Sequence, residues 1–257
     1  MTQLQRLAIL PSQLHGQQIE LTPQQRHYLS RVLRLQPGDR FIAMNGQGQW
    51  WLAMLSGAQA QILQPISVQT ELPVTVSLMV ALPKNGFDEI VRQGTELGVT
   101  SFIPVVSDRT LLHPSPQKLE RWRKIAIEAA EQSERLIVPE IFDPIPFSQA
   151  LSIIGEKNYG YICEGRGDFP HLLSCLQDTV KIANQSPQTT ITIATGPEGG
   201  WTAAEVEQAS AAGIQPVSLG KRILRAVTAP IVALSLISAA FEQVSFLSRG
   251  AGEQVSR

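Results

Sequence analysis

Cysteine is nearly absent from this chain. Only Cys163 and Cys175 occur among 257 residues, with eleven residues between them and no C-x-x-C arrangement. That pattern excludes a disulfide framework and a cysteine-ligated metal site, and it fits a reducing cytoplasm. Histidine is almost as scarce: His15, His27, His113 and His171 are scattered, with neither metal-ligand spacing nor the makings of a triad, so no metal is expected and zinc and hydrolase chemistry are set aside. Net charge is close to nil, 21 basic against 22 acidic residues. A polyanionic partner would therefore have to be held by cations gathered locally rather than by bulk charge. Long apolar runs are missing too. The longest uncharged stretch, Ala226 to Phe241, is broken by Thr228, Pro230, Ser235 and Ser238. It falls short of the roughly 20 residues that span a bilayer and reads as a buried helix. Leu7 to Leu10 is too short for the apolar core of a secretory signal, and no membrane partner is expected. Internal repeats and low-complexity tracts are absent.

What the chain does have is 43% hydrophobic residues, enough for the core of one large domain or two modest ones. Charge divides unevenly near Pro73. Residues 1–72 carry Arg6, Arg26, Arg31, Arg34 and Arg40 against Glu20, Asp39 and Glu71, so the smaller segment is the cationic one and the remainder is acidic. The texture of 1–72 is that of a small β-barrel: short runs at Arg40 to Met44, Trp50 to Leu55 and Ala60 to Val68 around the turn Asn45-Gly46-Gln47-Gly48. One helix interrupts them, with Thr22 as cap, Pro23 at its first position and Gln25 closing a capping box. Tyr28, Leu29, Val32 and Leu33 form its expected apolar stripe. His27, Arg31 and Arg34 recur at i, i+4 and i+7 on another face, which reads either as ordinary solvation or as side chains spaced to bridge successive phosphates.

From Pro73 onward strands alternate with helices. Strands are expected at 74–82, 101–106, 159–163, 190–195 and 217–219, and helices at 87–97, 118–132, 202–212 and 228–244. Repeated β-α units imply an α/β fold with a mostly parallel sheet covered on both faces. Two of its loops carry the chemical interest. In ITIATGPEGGWTAAE, from Ile191 to Glu205, a strand ends in Gly196-Pro197-Glu198-Gly199-Gly200, and a helix follows with Thr202 and Glu205 as a capping box and Trp201 packing on Val206. Such a junction lets backbone N–H groups approach a ligand, but it also serves as a plain tight turn. It matches neither G-x-G-x-x-G nor a phosphate loop ending in Gly-Lys-Ser/Thr. In VSLGKRILRAVT, from Val217 to Thr228, the apolar pair Ile223-Leu224 sits among Lys221, Arg222 and Arg225. It is either a crossover with that pair tucked inward or a pocket wall that grips a flat ring.

Together these loops resemble the trefoil-knotted SPOUT-class RNA methyltransferases, and more narrowly the RsmE type, which methylates N3 of a uridine in small-subunit (16S) ribosomal RNA. The likeness extends to HYLSRVLRLQPGD (27–39), QGTELGVTSFIPV (93–105) and RWRKIAIEAAEQSERLIVPE (121–140), so it covers nearly the whole chain in order. It implies a PUA-like, RNA-contacting barrel over 1–72 and a methyltransferase domain over 73–257 ending in a deep trefoil knot. It also implies S-adenosylmethionine as methyl donor and action as a homodimer. Carried over residue by residue, Thr195, Gly196, Pro197, Glu198, Gly199 and Gly200 would form one wall of the cofactor site. Leu219, Gly220, Ile223, Leu224 and Arg225 would form the other, with backbone groups at Leu219 and Leu224 on the adenine and Glu164 approaching from a third loop. Arg225 and then Arg135 are the expected catalytic residues, and Arg26, Arg31 and Arg34 the expected RNA contacts.

Two departures accompany the resemblance. The family reads Arg-Thr-Glu-Thr-Ala where this chain has Arg225-Ala226-Val227-Thr228-Ala229, and Ile137 stands where a second arginine is common. Methylation of a ribose 2′-oxygen is the main enzymatic alternative. A noncatalytic RNA-binding assembly factor is the alternative from another class, on account of Val227.

Overall fold

The computed structural model describes residues 4–154, 158–183 and 189–253, with the backbone alone for Asn158 and residues 244–253. The chain divides into two compact units: Met1–Glu71 with Ile127–Val138, and Leu72–Ala126 with Pro139–Arg257.

The first unit is built on a six-stranded sheet of β1 (Arg6–Ala8), β2 (Leu14–His15), β3 (Gln18–Glu20), β4 (Arg40–Met44), β5 (Trp50–Ser56) and β6 (Gln59–Ile66). Their order is β1-β4-β5-β6-β3-β2, with β1 parallel to β4 and the other pairs antiparallel. Strand β4 shows why both faces are covered. Phe41 and Ala43 join one buried cluster with Leu7, Ile19 and Leu29, while Ile42 and Met44 join another with Trp50 and Ala130. Ala130 belongs to the segment 127–138, which the sequence reading placed with the second domain and which groups here with the first.

The helix of this unit is capped as expected. Thr22 Oγ1 accepts from Gln25 N–H, Gln25 Oε1 accepts from Thr22 N–H, and Pro23 opens α1 (Pro23–His27). Its continuation is not α-helical. Tyr28–Val32 forms a π-turn closed by Leu33 N–H on Tyr28 O, and Arg34 follows at φ +60°, beyond the helix end. The wider turn rotates the stripe, so Leu29 is buried but Val32 is 59% exposed. The expected i, i+4, i+7 face ending on Arg34 is therefore replaced by exposed Arg26 and Arg31 on the helix and Arg34 just past it.

The second unit is a parallel sheet of β7 (Thr75–Ala81), β8 (Ser101–Val106), β9 (Glu140–Ile141), β10 (Ile145–Pro146), β11 (Asn158–Cys163), β12 (Thr190–Thr195) and β13 (Gln215–Val217). The order is β10-β8-β7-β12-β11-β13, with β9 beside β8. Five helices follow the strands: α2 (Phe87–Glu96), α4 (Phe147–Ser152), α5 (Leu172–Ala183), α6 (Ala203–Ala211) and α7 (Ala229–Glu253); α3 (Pro116–Gln132) starts in this unit and its last residues count with the first. On one face Met79, Ile103, Ile162 and Ala194 meet Phe147, Trp201 and Ala209. On the other, α7 packs against α2, α5 and β12, and its Leu234, Ile237 and Phe241 are buried. Because all strands run one way, the loops after β7, β8, β11, β12 and β13 gather at one end of the sheet, where ligands bind in open α/β folds.

Candidate active site

Three of those loops enclose a cleft that is open to solvent. The loop after β12 contributes Gly196, Pro197, Glu198, Gly199, Gly200 and Trp201; the loop after β13 contributes Leu219, Gly220, Arg222, Ile223, Leu224 and Ala226; and β11 with its loop contributes Cys163, Glu164, Gly165 and Arg166. Ala229, the first residue of α7, completes the lining. Two glycines there adopt conformations that favour glycine, Gly200 at φ +70° and Gly220 at φ +116°. Ile223 is 66% exposed and, with Leu224, gives the cleft an apolar wall. A Cβ on Gly165 would lie 3.0 Å from Ile223 Cδ1, so the third loop approaches that wall closely and a larger residue would push the Ile223 tip aside. Burial pushes the Cys163 thiol up to about 12, which keeps it neutral and unreactive in the cleft.

The glycine loop is pinned from neighbouring loops. Glu198 Oε1 accepts from the Lys84 N–H at 2.9 Å, tying it to the turn after β7. Arg109 Nη1, from the loop after β8, donates to Gly199 O at 2.6 Å and to Trp201 O at 3.3 Å. Thr202 and Glu205 form the expected capping box of α6, and Glu205, buried, also accepts from Asp108 N–H at 2.9 Å. The Trp201 indole is buried beside Val206 and stacks on Phe147 at 4.8 Å between ring centroids.

Other residues singled out in the sequence lie elsewhere. Thr195 ends β12 fully buried behind the cleft, its hydroxyl without a hydrogen-bond partner among the described residues. Arg225 is exposed and does not line the cleft; its carbonyl accepts from Thr228 and Ala229, which turns the chain into α7. Val227 packs on the turn after β7, where a Cβ on Gly86 would fall 2.6 Å from its Cγ1. Arg135 belongs to the first unit, 3% exposed, with its guanidinium on the Glu71 carboxylate at 2.5 Å. The same carboxylate accepts from the Leu136 and Ile137 amides, at 2.8 and 3.2 Å. Arg26, Arg31 and Arg34 are exposed on the first unit with no carboxylate partner among the described residues. Sequence reasoning did not single out Arg109, Arg166 or Cys163. For Arg166 the signal available was its place just after a buried strand; Arg109 had none, because its partners lie ninety residues away.

The cleft fits S-adenosylmethionine by the chemistry of its lining: backbone amides brought close by glycines, an apolar wall for an adenine ring, and a neutral thiol rather than a competing nucleophile. Comparison with known proteins points the same way. Residues 70–238 match the family model of an RNA methyltransferase domain, and residues 21–64 that of an RNA methyltransferase PUA domain. The chain is 49% identical over 242 residues to Ribosomal RNA small subunit methyltransferase E of Synechocystis, covering 92% of this chain and 78% of that protein. It is 32% identical to the Bacillus subtilis protein of the same name, covering 88% and 94%. Among solved structures, Ribosomal RNA small subunit methyltransferase E from Neisseria gonorrhoeae bound to S-adenosyl methionine superposes with a TM-score of 0.79 at 31% identity, covering 93% of this chain and 98% of that one. A putative methyltransferase from Legionella pneumophila in complex with the same cofactor gives 0.78 at 25% identity, with the same coverage.

Proposed function

This chain belongs to the ribosomal RNA small subunit methyltransferase E family, and from that premise we propose that it methylates N3 of a uridine in small-subunit (16S) ribosomal RNA. The observation that carries the reading is the cleft at the carboxyl ends of β11, β12 and β13, lined by Gly196–Gly200, Leu219, Gly220, Ile223 and Leu224. When bound there, S-adenosylmethionine supplies an electrophilic methyl group on a sulfonium. The glycine loop and the Ile223-Leu224 wall hold and orient it, and the backbone groups of Leu219 and Leu224 recognise its adenine. Methyl transfer itself needs alignment and exclusion of water more than covalent help. The uracil N3 carries a proton, however, and the anion that develops as it leaves must be stabilised.

In this reading Arg225 takes that role; it directly follows the lining residue Leu224, it is exposed, and no carboxylate neutralises it among the described residues. Arg135 is committed to Glu71, so in this reading it is a structural ion pair. Glu198, held by the Lys84 amide, orders the loop rather than taking the proton. In the same reading the carboxyl-terminal chain passes through a loop to form the deep trefoil knot that the family resemblance implies. The active form is a homodimer in the cytoplasm, and its first unit contacts RNA through Arg26, Arg31 and Arg34, with the assembled small subunit as substrate.

The test is methyl transfer to small subunits purified from a strain lacking the gene, followed by mapping of the modified nucleoside. A 3-methyluridine supports the proposal. A 2′-O-methyl product replaces it with the ribose reading, and cofactor binding without any transfer replaces it with an assembly factor. Arg225→Ala is expected to abolish transfer while largely sparing cofactor affinity measured by calorimetry. Equal loss of both would make Arg225 a binding residue.

A further inference from the structure

Resting on the reading that the cleft holds S-adenosylmethionine, we propose that Arg109 is a positioning residue for that cofactor, setting the Gly196–Trp201 loop in its binding shape from outside the cleft. Gly196, Gly199 and Gly200 leave this loop with little intrinsic stiffness, and fixing each backbone residue costs conformational entropy. A loop ordered only on binding subtracts that cost from affinity; one ordered beforehand does not. Arg109 supplies the prior order. Its Nη1 bonds the carbonyls on either side of Gly200, those of Gly199 and Trp201, at 2.6 and 3.3 Å.

The fit is specific to an arginine lying over a glycine. A Cβ on Gly199 would meet Arg109 Cδ at 3.0 Å and Cβ at 3.3 Å, so the bare Gly199 gives the side-chain stem room to pass. Arg109 is itself carried on a stiff turn. Thr110 N–H donates to Ser107 O at 3.0 Å, Ser107 N–H donates to Thr110 Oγ1 at 3.0 Å, and Asp108 is keyed to α6 through Glu205 and the Thr202 hydroxyl. The clamp thus runs from β8 through a rigid turn to the wall of the cleft, and Arg109 does not itself line the cleft.

Wild type, Arg109→Ala, Arg109→Gln and Arg109→Lys are compared by calorimetric titration with S-adenosylmethionine, by steady-state methylation of small subunits, and by thermal unfolding. Arg109→Ala should weaken cofactor binding roughly tenfold, the scale of one charge-assisted hydrogen bond. KM for the cofactor should rise in step, while kcat at saturation and KM for the RNA substrate stay within about twofold. Lysine, donating from a point rather than a planar fork, should recover part of the loss, and glutamine less. Unchanged affinity with a lowered Tm overturns the proposal in favour of a purely structural contact. Unchanged cofactor affinity with a raised, salt-sensitive KM for RNA overturns it in favour of a phosphate contact. Failure of the wild type itself to bind the cofactor removes the premise, and is told apart because it appears before any substitution is made.

Discussion

Single side chains set two of the first unit's properties, and neither was visible along the sequence. Glu131 sits in the last turn of α3 and accepts from Ala8 N–H at 2.6 Å across 123 residues. Burial pushes its carboxyl up from 4.5 to about 7, the Ala8 hydrogen bond opposing and neighbouring Glu128 reinforcing the rise. The folded state therefore holds this proton more tightly than the unfolded one. The stabilisation it gives is complete below the unfolded value of 4.5 and is lost as pH rises through about 7. At 1.36 kcal/mol per pKa unit, the loss is on the order of 3 kcal/mol. Glu131→Gln keeps an oxygen for the Ala8 amide and removes the charge, so its urea midpoint should stay flat between about pH 5 and 8 where the wild type declines. Parallel declines would place the pH dependence elsewhere. Arg135 teaches a related lesson. The family resemblance marked it as catalytic, whereas its partner Glu71, sixty-four residues earlier, was beyond the reach of any local pattern.

At the scale of elements, what could be read was what is locally encoded. Both capping boxes, Thr22 with Gln25 and Thr202 with Glu205, stand where their residue types placed them, because the bonds join groups three residues apart. Strands β4, β8 and β12 match their expected bounds. The misses have physical causes. The π-turn at Tyr28–Val32 leaves no mark on an apolar pattern that a regular helix would also satisfy, and it displaced Val32 and Arg34 from their expected faces. Strand β13 begins two residues before its expected start and contains Pro216, which is tolerated because β13 ends the sheet order and needs no ladder bond on its outer side. Helix α5 was not foreseen, although Leu172, Leu176 and Val180 recur at helical spacing and are buried. The candidate site was largely legible for the same local reason: Gly196–Gly200 and Leu219–Leu224 form contiguous loops, whereas the Arg109 and Lys84 clamps on them are tertiary. The two caps differ accordingly in consequence. Thr22→Ala should cost about 1 kcal/mol in urea unfolding. Thr202→Ala should cost more, since its hydroxyl also reaches Asp108 Oδ2 at 3.1 Å, and Thr202→Ser should restore most of it. Equal costs would show that the Asp108 link contributes nothing.

For the whole molecule, a net charge of -1 conceals a sorting of arginines into paired and unpaired. Arg92 is held by Glu89, Arg121 by Asp88, and Arg123 by Glu120 and Asp143, at solvent-accessible positions where the carboxylate already neutralises the cation. Arg26, Arg31 and Arg34 are exposed with no such partner among the described residues. A phosphate can displace water from the second group, but from the first it must displace a carboxylate. Bulk charge and local charge therefore make opposite forecasts for two double substitutions that remove the same two charges. Arg31→Gln with Arg34→Gln should weaken binding to small-subunit RNA and flatten the dependence of log K on log salt by about 0.7–0.9 for each phosphate no longer neutralised. Arg92→Gln with Arg123→Gln should leave affinity and slope close to wild type, since it strips cations whose fields are already cancelled. Equal losses in the two variants, in filter-binding titrations across a salt series, would return the Arg31 and Arg34 surface to ordinary solvation and make net charge the only electrostatic handle on RNA.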